Sequence, residues 1–568
     1  MTAEPDSSTS TPAASPAASG LARAGAPIFL GGSVLLIASA FMSWAYDPAV
    51  LSDLTVYGNP APVQYLAVIL GVLGLLIGLV GRQVRWVNSS AAAKGLGYGA
   101  VAFAVMVILS IALESHGLIN IDPGGWLALA GALLMAVGGH FMPVRPHTDP
   151  LRERANTWVE IVVIIVLLAA GLFTAAYALN LTDGGELVCL LAAIGAIAAM
   201  LAKAGFFAWL GVAAAHNRQV LMLGAIVVAF LFPFTQHGSD ANMSIATQVL
   251  IFATTALGLN IVVGLAGLLD LGYIAFLGAG AYVAAMLSGA ASATIGWNPP
   301  FLLVMVIAAC TSATLGLIIG SPTLRVSGDY LAIVTLAFGE IFRITMNNLD
   351  GNNGPNLTHG PNGIAGLPEL QVGSFNFGEA HQLFGFTITR YANYYFLLLV
   401  LAAFVVTVFT RLNNSRIGRG WVAIREDERA AEAMGVNVFG LKLFAFAGGA
   451  FLAGLAGTIK AHQDLAVSPD QYVFLESAFL VAAIVLGGMG TVAGVLVGAT
   501  ILKLLPEKLR FLADYRLLMF GLLLVAMMRF RPEGLVPNKR RALEFHEDDQ
   551  ELAERIEDIH IEEVEARA

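Results

Sequence analysis

Six charged residues fall within eight positions: Arg425, Glu426, Asp427, Glu428, Arg429 and Glu432. Carboxylates and guanidinium groups at this density make charge-assisted hydrogen bonds to a partner surface. Ala430, Ala431 and Ala433, strong helix formers, are interleaved with them. Gly435 then stands where a helix would end. The spacing predicts a short charged helix over 425–435, presented on a loop, and the chemistry is docking. Such an element takes force or a signal from a soluble partner.

Other chemistry is poorly supported. No Gly-Lys dipeptide occurs in the chain, so there is no phosphate-binding loop of the Walker type. His546-Glu547 lacks the second histidine of a zinc-protease helix. Gly488 to Ala493 fits the loose GxGxxA pattern of a dinucleotide loop, but it lies inside an apolar run without a strand–helix unit. The ten histidines are scattered without ligand spacing. The expectation is a chain that is not an enzyme and binds no metal or cofactor of its own.

The elements that must carry the charged loop are membrane spans. The chain is 57% hydrophobic and 12% charged, against roughly 25% charge in soluble domains. Many apolar runs reach the ~20 residues needed to cross a bilayer. In lipid the backbone must satisfy its own hydrogen bonds, and no alternating strand pattern suggests a barrel. The expected fold is therefore all-α and polytopic, a helical bundle of roughly 14–15 apolar spans.

The runs form two blocks. Residues 1–26 are a low-complexity Ser/Thr/Ala/Pro/Gly leader, expected to be disordered, and a first block spans 27–235. A second block spans 245–537, and an acidic tail follows over 538–568. The second block has neither Lys nor Arg between Asn242 and Leu324, and it is rich in glycine, which lets membrane helices approach closely. Lys203 suggests that the run 186–213 ends early.

Orientation follows from basic residues beside span ends. The loop 411–442 carries Arg411, Arg416, Arg419, Arg425, Arg429 and Lys442, and the segment after 530 is also basic, so both are expected to be cytoplasmic. The Asn- and Gly-rich loop 348–392, with Arg390 alone, is expected outside. An even number of crossings must separate the two inner segments, yet three long runs are present. Splitting 475–502 at the sequence GGMGTVAG, Gly487 to Gly494, into a re-entrant broken helix restores parity. Gly487, Gly488 and Gly490 are thereby candidates for lining a path.

Polar residues in the spans are the remaining candidates. Asn260 is either a substrate contact or interhelical glue. Glu340 is a functional candidate as an intramembrane carboxylate, although Arg343 three residues on offers it a local ion pair. Asp270 is expected at an interface, as is Glu160.

The second block resembles a known family, the LivM-type permease subunits of branched-chain amino-acid ABC importers. The resemblance rests on ALGLNIVVGLAGLLDLGYIAF from Ala256, GDYLAIVTLAFGEIFRI from Gly328, GPNGI from Gly360, GRGWVAIREDERAAEAMGV from Gly418, SPDQYVFLESAFLVAAIVLGGMGTVAG from Ser468 and RPEGLVP from Arg531. It covers roughly Ala246 to Pro537 and leaves the first block unmatched. It implies that 425–435 is the coupling helix that docks on an ATPase, related to the EAA-x3-G signature, with Arg429 where a Glu is usual. It marks Gly360, Pro361, Asn362 and Gly363 as outer-loop candidates. Two ATPase subunits that use the ATP, a homologous second permease and an extracytoplasmic substrate-binding protein are the implied partners, in a bacterial-type plasma membrane and with no nucleic acid. The family also shades into permeases for urea, amides and other small solutes. An ion-driven secondary transporter is a further alternative, but it would need recurring intramembrane carboxylates across two repeats.

Overall fold

The computed structural model describes residues 16–508, 516–530 and 533–536, apart from 48–49, 52–53, 55–57, 82–87, 144–155, 182, 291, 296, 324–328, 353, 374 and 384. The first part of the leader, the acidic tail and Arg531, Pro532 and Pro537 of the RPEGLVP motif lie outside the described residues. The chain divides into two compact units, Met1–Thr235 and Gln236–Ala568. Twelve described helices are long and apolar enough to cross a membrane, and three shorter apolar ones accompany them.

The first unit contains α1 (Pro16–Ser39), α2 (Pro62–Leu79), α3 (Ser89–Glu114), α4 (Pro123–Phe141), α5 (Thr157–Asn180), α6 (Gly184–Lys203), α7 (Phe206–His216) and α8 (Arg218–Leu231). The expected leader ends early: the backbone is already helical at Pro16 rather than near Pro27. Its core joins α1, α3, α4 and α6 around Phe29, Trp44 and Phe103. The run containing Lys203 does end there, and Gly205, with φ +85°, turns the chain into α7. Glu160 is buried, and Asn217 Nδ2 donates to its Oε2 at 2.7 Å, tying α5 to the start of α8.

The second unit contains α9 (Asp240–Asn260), α10 (Ile274–Met286), α11 (Phe301–Thr323), α12 (Asp329–Asn348), α13 (Arg390–Asn413), α14 (Arg416–Glu426), α15 (Glu428–Ala433), α16 (Val438–Asp464), α17 (Phe474–Gly487), α18 (Val492–Lys508) and α19 (Arg516–Phe530). One core joins α9, α10, α16 and α17. The loop 348–392 carries short antiparallel ladders. Ile364–Ala365 (β1) pairs with Ala466–Val467, Gln371–Val372 (β2) with Phe375–Asn376 (β3), and His381–Leu383 (β4) with Phe386–Ile388 (β5).

Two features of this unit position the site. The first is the expected split of 475–502: α17 and α18 form an antiparallel hairpin around Gly487 to Thr491. With 14 and 17 residues, they are about 21 and 26 Å long at 1.5 Å per residue. Four helices, α16 to α19, then follow the charged loop. The second feature was not legible in the sequence. After Asn260 the helix widens into a π-helical turn, Ile261–Leu265, before the link to α10. Such turns recur at functional sites.

Candidate functional site

The charged segment is two helices rather than one. Asp427, at φ −152° and ψ 109°, leaves the helical region and caps α15, its Oδ1 accepting from Arg429 N at 2.9 Å and Ala430 N at 3.0 Å. A side chain that caps so well competes with helix continuation, which explains the break. Gly435, at φ +82°, closes α15 in the left-handed conformation that Cβ disfavours, and Val436 N donates to Ala431 O at 3.1 Å.

The helix pair is anchored from beneath. Trp421 is fully buried, its Nε1 donating to Leu441 O at 2.8 Å and its ring stacking on Phe444. Ala431 packs with Ile424 and Val438. Glu428, itself 47% exposed, lies 2.6 Å from the Nζ of Lys442, a lysine only 7% exposed. Arg425 pairs with Glu426 and also donates from Nη1 to Gly264 O at 3.1 Å. Asp427, Arg429, Ala430, Glu432 and Gly435 remain on the exposed surface, with Met434 beside them at 85% exposure.

The bond from Arg425 leads into the membrane part of the unit. Gly264 lies in the π-helical turn, where an added Cβ would collide with Asn260 Oδ1 and stand 2.7 Å from Gly490 N. Asn260 is fully buried. Its Oδ1 accepts from Gly490 N at 2.9 Å, and its Nδ2 donates to Thr491 O at 3.4 Å. Gly488 and Gly490 have φ of +123° and +76°, which the tight turn requires. Gly487 packs so closely on Gly494 that no side chain would fit. The piece of the RPEGLVP motif within the described residues closes over this turn: Leu535 N donates to Leu486 O and Val536 N to Gly487 O, both at 2.9 Å. The structure therefore brings together Arg425, Asn260, Gly487, Gly488 and Gly490, and among the contacts described Asn260 acts as interhelical glue.

Glu340 stands apart from this cluster. Its Oε1 accepts from Arg343 Nε at 2.9 Å, the local ion pair, and Arg343 also lies 3.8 Å from Asp470. Asp270 is buried in the link before α10. It accepts from Gly272 N at 2.9 Å. Gly360, Pro361 and Asn362 form a short 3-10 turn, with Pro361 and Asn362 exposed. Gly360 and Gly363 have positive φ, and Gly363 lies against Val467 and Ser468. Arg390 secures the same end, 2.6 Å from Glu369 Oε1 and 2.8 Å from Gln463 O.

Four charges in the spans escaped the sequence reading. At the far end of the unit from α14, Lys503 Nζ lies 2.8 Å from Glu476 Oε2 and 4.5 Å from the centre of the Phe252 ring. Lys460 pairs with Asp464 and reaches Gln471 Oε1 at 3.4 Å. All four line a cavity of about 270 Å³ between α9, α10, α16, α17 and α18. All four lie near helix ends, Lys460 and Asp464 in the last five residues of α16, Glu476 in the first turn of α17 and Lys503 five residues before the end of α18, so the apolar runs gave no signal for them.

A polytopic bundle with a glycine-tight helix break locked to an exposed charged helix pair is the architecture of a transport permease. A family described as the branched-chain amino acid transport system / permease component matches residues 242–528, and the chain belongs to this family. It is similar to the high-affinity branched-chain amino acid transport system permease protein LivM of Salmonella typhimurium, 38% identical over 343 residues, covering 58% of this chain and 77% of the relative. The LivM of Escherichia coli K12 is likewise 38% identical, with the same coverage. The LivH permease of that organism is 26% identical over 295 residues, covering 50% of this chain and 91% of its own. No solved structure matches the chain.

Proposed function

We propose that this chain is the permease component of an ATP-driven importer for branched-chain or related amino acids. The observation that carries the reading is the contact of Arg425, at the end of the exposed helix pair, with Gly264 in the π-helical turn. A push on α14 and α15 reaches Gly264 directly, and from there Asn260 and the α17–α18 turn. Closure of two ATPase subunits, one of them docked on the exposed face around Arg429, Glu432 and Met434, supplies that push. This chain binds no ATP itself. A homologous second permease completes the path, and a binding protein delivers the amino acid to the side that holds Pro361 and Asn362.

In this reading the loop 411–442 and the C-terminus are cytoplasmic, in a bacterial-type inner membrane. Two experiments test it. The first purifies the chain with its operon partners and measures ATP-dependent uptake of labelled leucine in proteoliposomes; a transport-competent assembly without any ATPase overturns the importer. The second places single cysteines at Gln371 and Asn414, with Cys189 and Cys310 replaced. An impermeant reagent on right-side-out cells labels the Gln371 site only, and labelling at Asn414 reverses the orientation.

A further inference from the structure

The charged cavity at the end away from the coupling helices has no part in that coupling route. Lys503 lies five residues before the end of α18, and its ammonium is drawn into the cavity. The hairpin does not need its ion pair for cohesion, because α17 and α18 already meet backbone to backbone at Gly487 and Gly494 and at Ala483 and Gly498. An ion pair of this kind adds little stability over apolar side chains of similar size.

Its surroundings are more specific. Lys503 and Glu476 come from two different helices and are 25% and 31% exposed, so both remain accessible from the cavity. Lys460 and Asp464 balance one another in the same way, and the four charges sum to zero. The rest of the wall has an apolar part, with Phe252, Leu277 and Leu480, and a neutral polar part, with Gln248, Thr255 and Gln471. A second cavity of about 230 Å³ lies towards the outer ends of α9 and α18 and shares Gln248 and Lys503 with the first. Lys503 thus borders both cavities.

A preformed ammonium–carboxylate pair beside an apolar wall matches one class of ligand. In a free amino acid an ammonium and a carboxylate flank one carbon, and an aliphatic side chain leaves from it. A simple anion or cation would leave one wall charge without a partner in a low-dielectric site. A zwitterion exchanges partners with the pair and leaves neither unpaired. Resting on the importer reading above, we propose that this cavity is a recognition site on the permease itself for a zwitterionic aliphatic amino acid. Lys503 receives the carboxylate, Glu476 the ammonium, and the Phe252–Leu277–Leu480 wall the side chain.

The test uses the complete assembly. Binding of labelled leucine to the detergent-solubilised complex, without binding protein, is measured for the native chain, Lys503→Met, Glu476→Gln and the double variant. Each single variant weakens leucine binding by roughly 10- to 100-fold, the range for loss of a charged hydrogen bond. Isoamylamine, which lacks the carboxylate, and 4-methylpentanoate, which lacks the ammonium, serve as competitors. Both compete poorly in the native complex. In Lys503→Met, leucine falls to the level of isoamylamine, a loss of discrimination that a general packing defect would not produce. The double variant, whose site is neutral, assembles at normal abundance and still fails to bind leucine. Leucine affinity within about twofold of native in the double variant overturns the proposal, as does the absence of leucine binding by the native complex. If the native assembly shows no ATP-dependent leucine uptake, the importer reading itself fails and takes this inference with it. Intact uptake with unaffected variants sinks the cavity proposal alone.

Discussion

The two ends of the permease unit are built on opposite principles. At the end near residues 411–442, backbone meets backbone. Gly264, Gly487 and Gly488 leave no room for side chains, and Asn260 directs its amide to main-chain partners. At the other end, charged side chains surround open space, and the pairs Lys503–Glu476 and Lys460–Asp464 face a cavity. The first arrangement suits the proposed transmission of displacement, because close-packed contacts cannot absorb it. The second suits the proposed guest, because its partners can be exchanged. A membrane protein can thus place stiffness and receptivity in the same helices, since α9, α17 and α18 run from one end to the other.

The largest expected effect breaks the stiff end. Gly264→Val drives a branched side chain into Asn260 and Gly490 N. Overpacking costs about 1–3 kcal/mol and occasionally more, so membrane abundance and the monodisperse fraction on size exclusion both fall sharply. Next is Asn260→Leu, which leaves Gly490 N buried without its acceptor, at about 1–3 kcal/mol. Uptake per folded molecule should fall further than abundance, and Asn260→Asp, which keeps the acceptor, should recover part of it. Equal recovery by Asn260→Ala would show that this bond transmits nothing.

A third comparison lies within the coupling helices. Glu428→Lys sets a second lysine against the buried Lys442 and costs about 1–2 kcal/mol, between the surface and buried limits for ion pairs. Glu432→Lys, on the exposed face, costs at most about 0.5 kcal/mol, yet it should uncouple ATP hydrolysis from uptake. Thermal stability and the ratio of uptake to hydrolysis separate the two. The smallest effect on folding is expected at the receptive end. Lys503→Met with Glu476→Gln removes both members of a pair and should shift stability by less than about 1 kcal/mol. A large loss there would make the ion pair structural and erase the contrast between the ends.

Much of the coupling region was legible in the chain. Charge density, helix-forming alanines and Gly435 placed a short charged helix ending at Gly435, and GGMG placed the break between α17 and α18. The reading of a single helix over 425–435 failed at Asp427, because its capping geometry depends on a backbone turn that helix propensity does not encode. Glu428 looked like its exposed neighbours until α16 brought Lys442 beside it. Asp270 and Glu160 sit near the ends of apolar runs, but whether such a residue meets water or another helix is decided by what packs over it.

The sequence by itself determined the membrane character, the helical class, the charged loop and the family. These follow from local quantities: apolar run length, glycine content, charge density and motif spacing. Only the tertiary structure decided which distant residues meet. Asn260 and Gly490 are 230 positions apart, Arg425 and Gly264 are 161 apart, and Lys503 and Glu476 sit on different helices. It also decided which apolar faces are buried: α9, with its π-helical turn, is 83% buried, whereas α5 is 17% buried although it is the more apolar. The physical reason is that lipid is as apolar as a protein core. Hydropathy therefore puts a helix in the membrane without fixing its neighbours, and those are chosen by close backbone packing and by the few polar groups that must find partners.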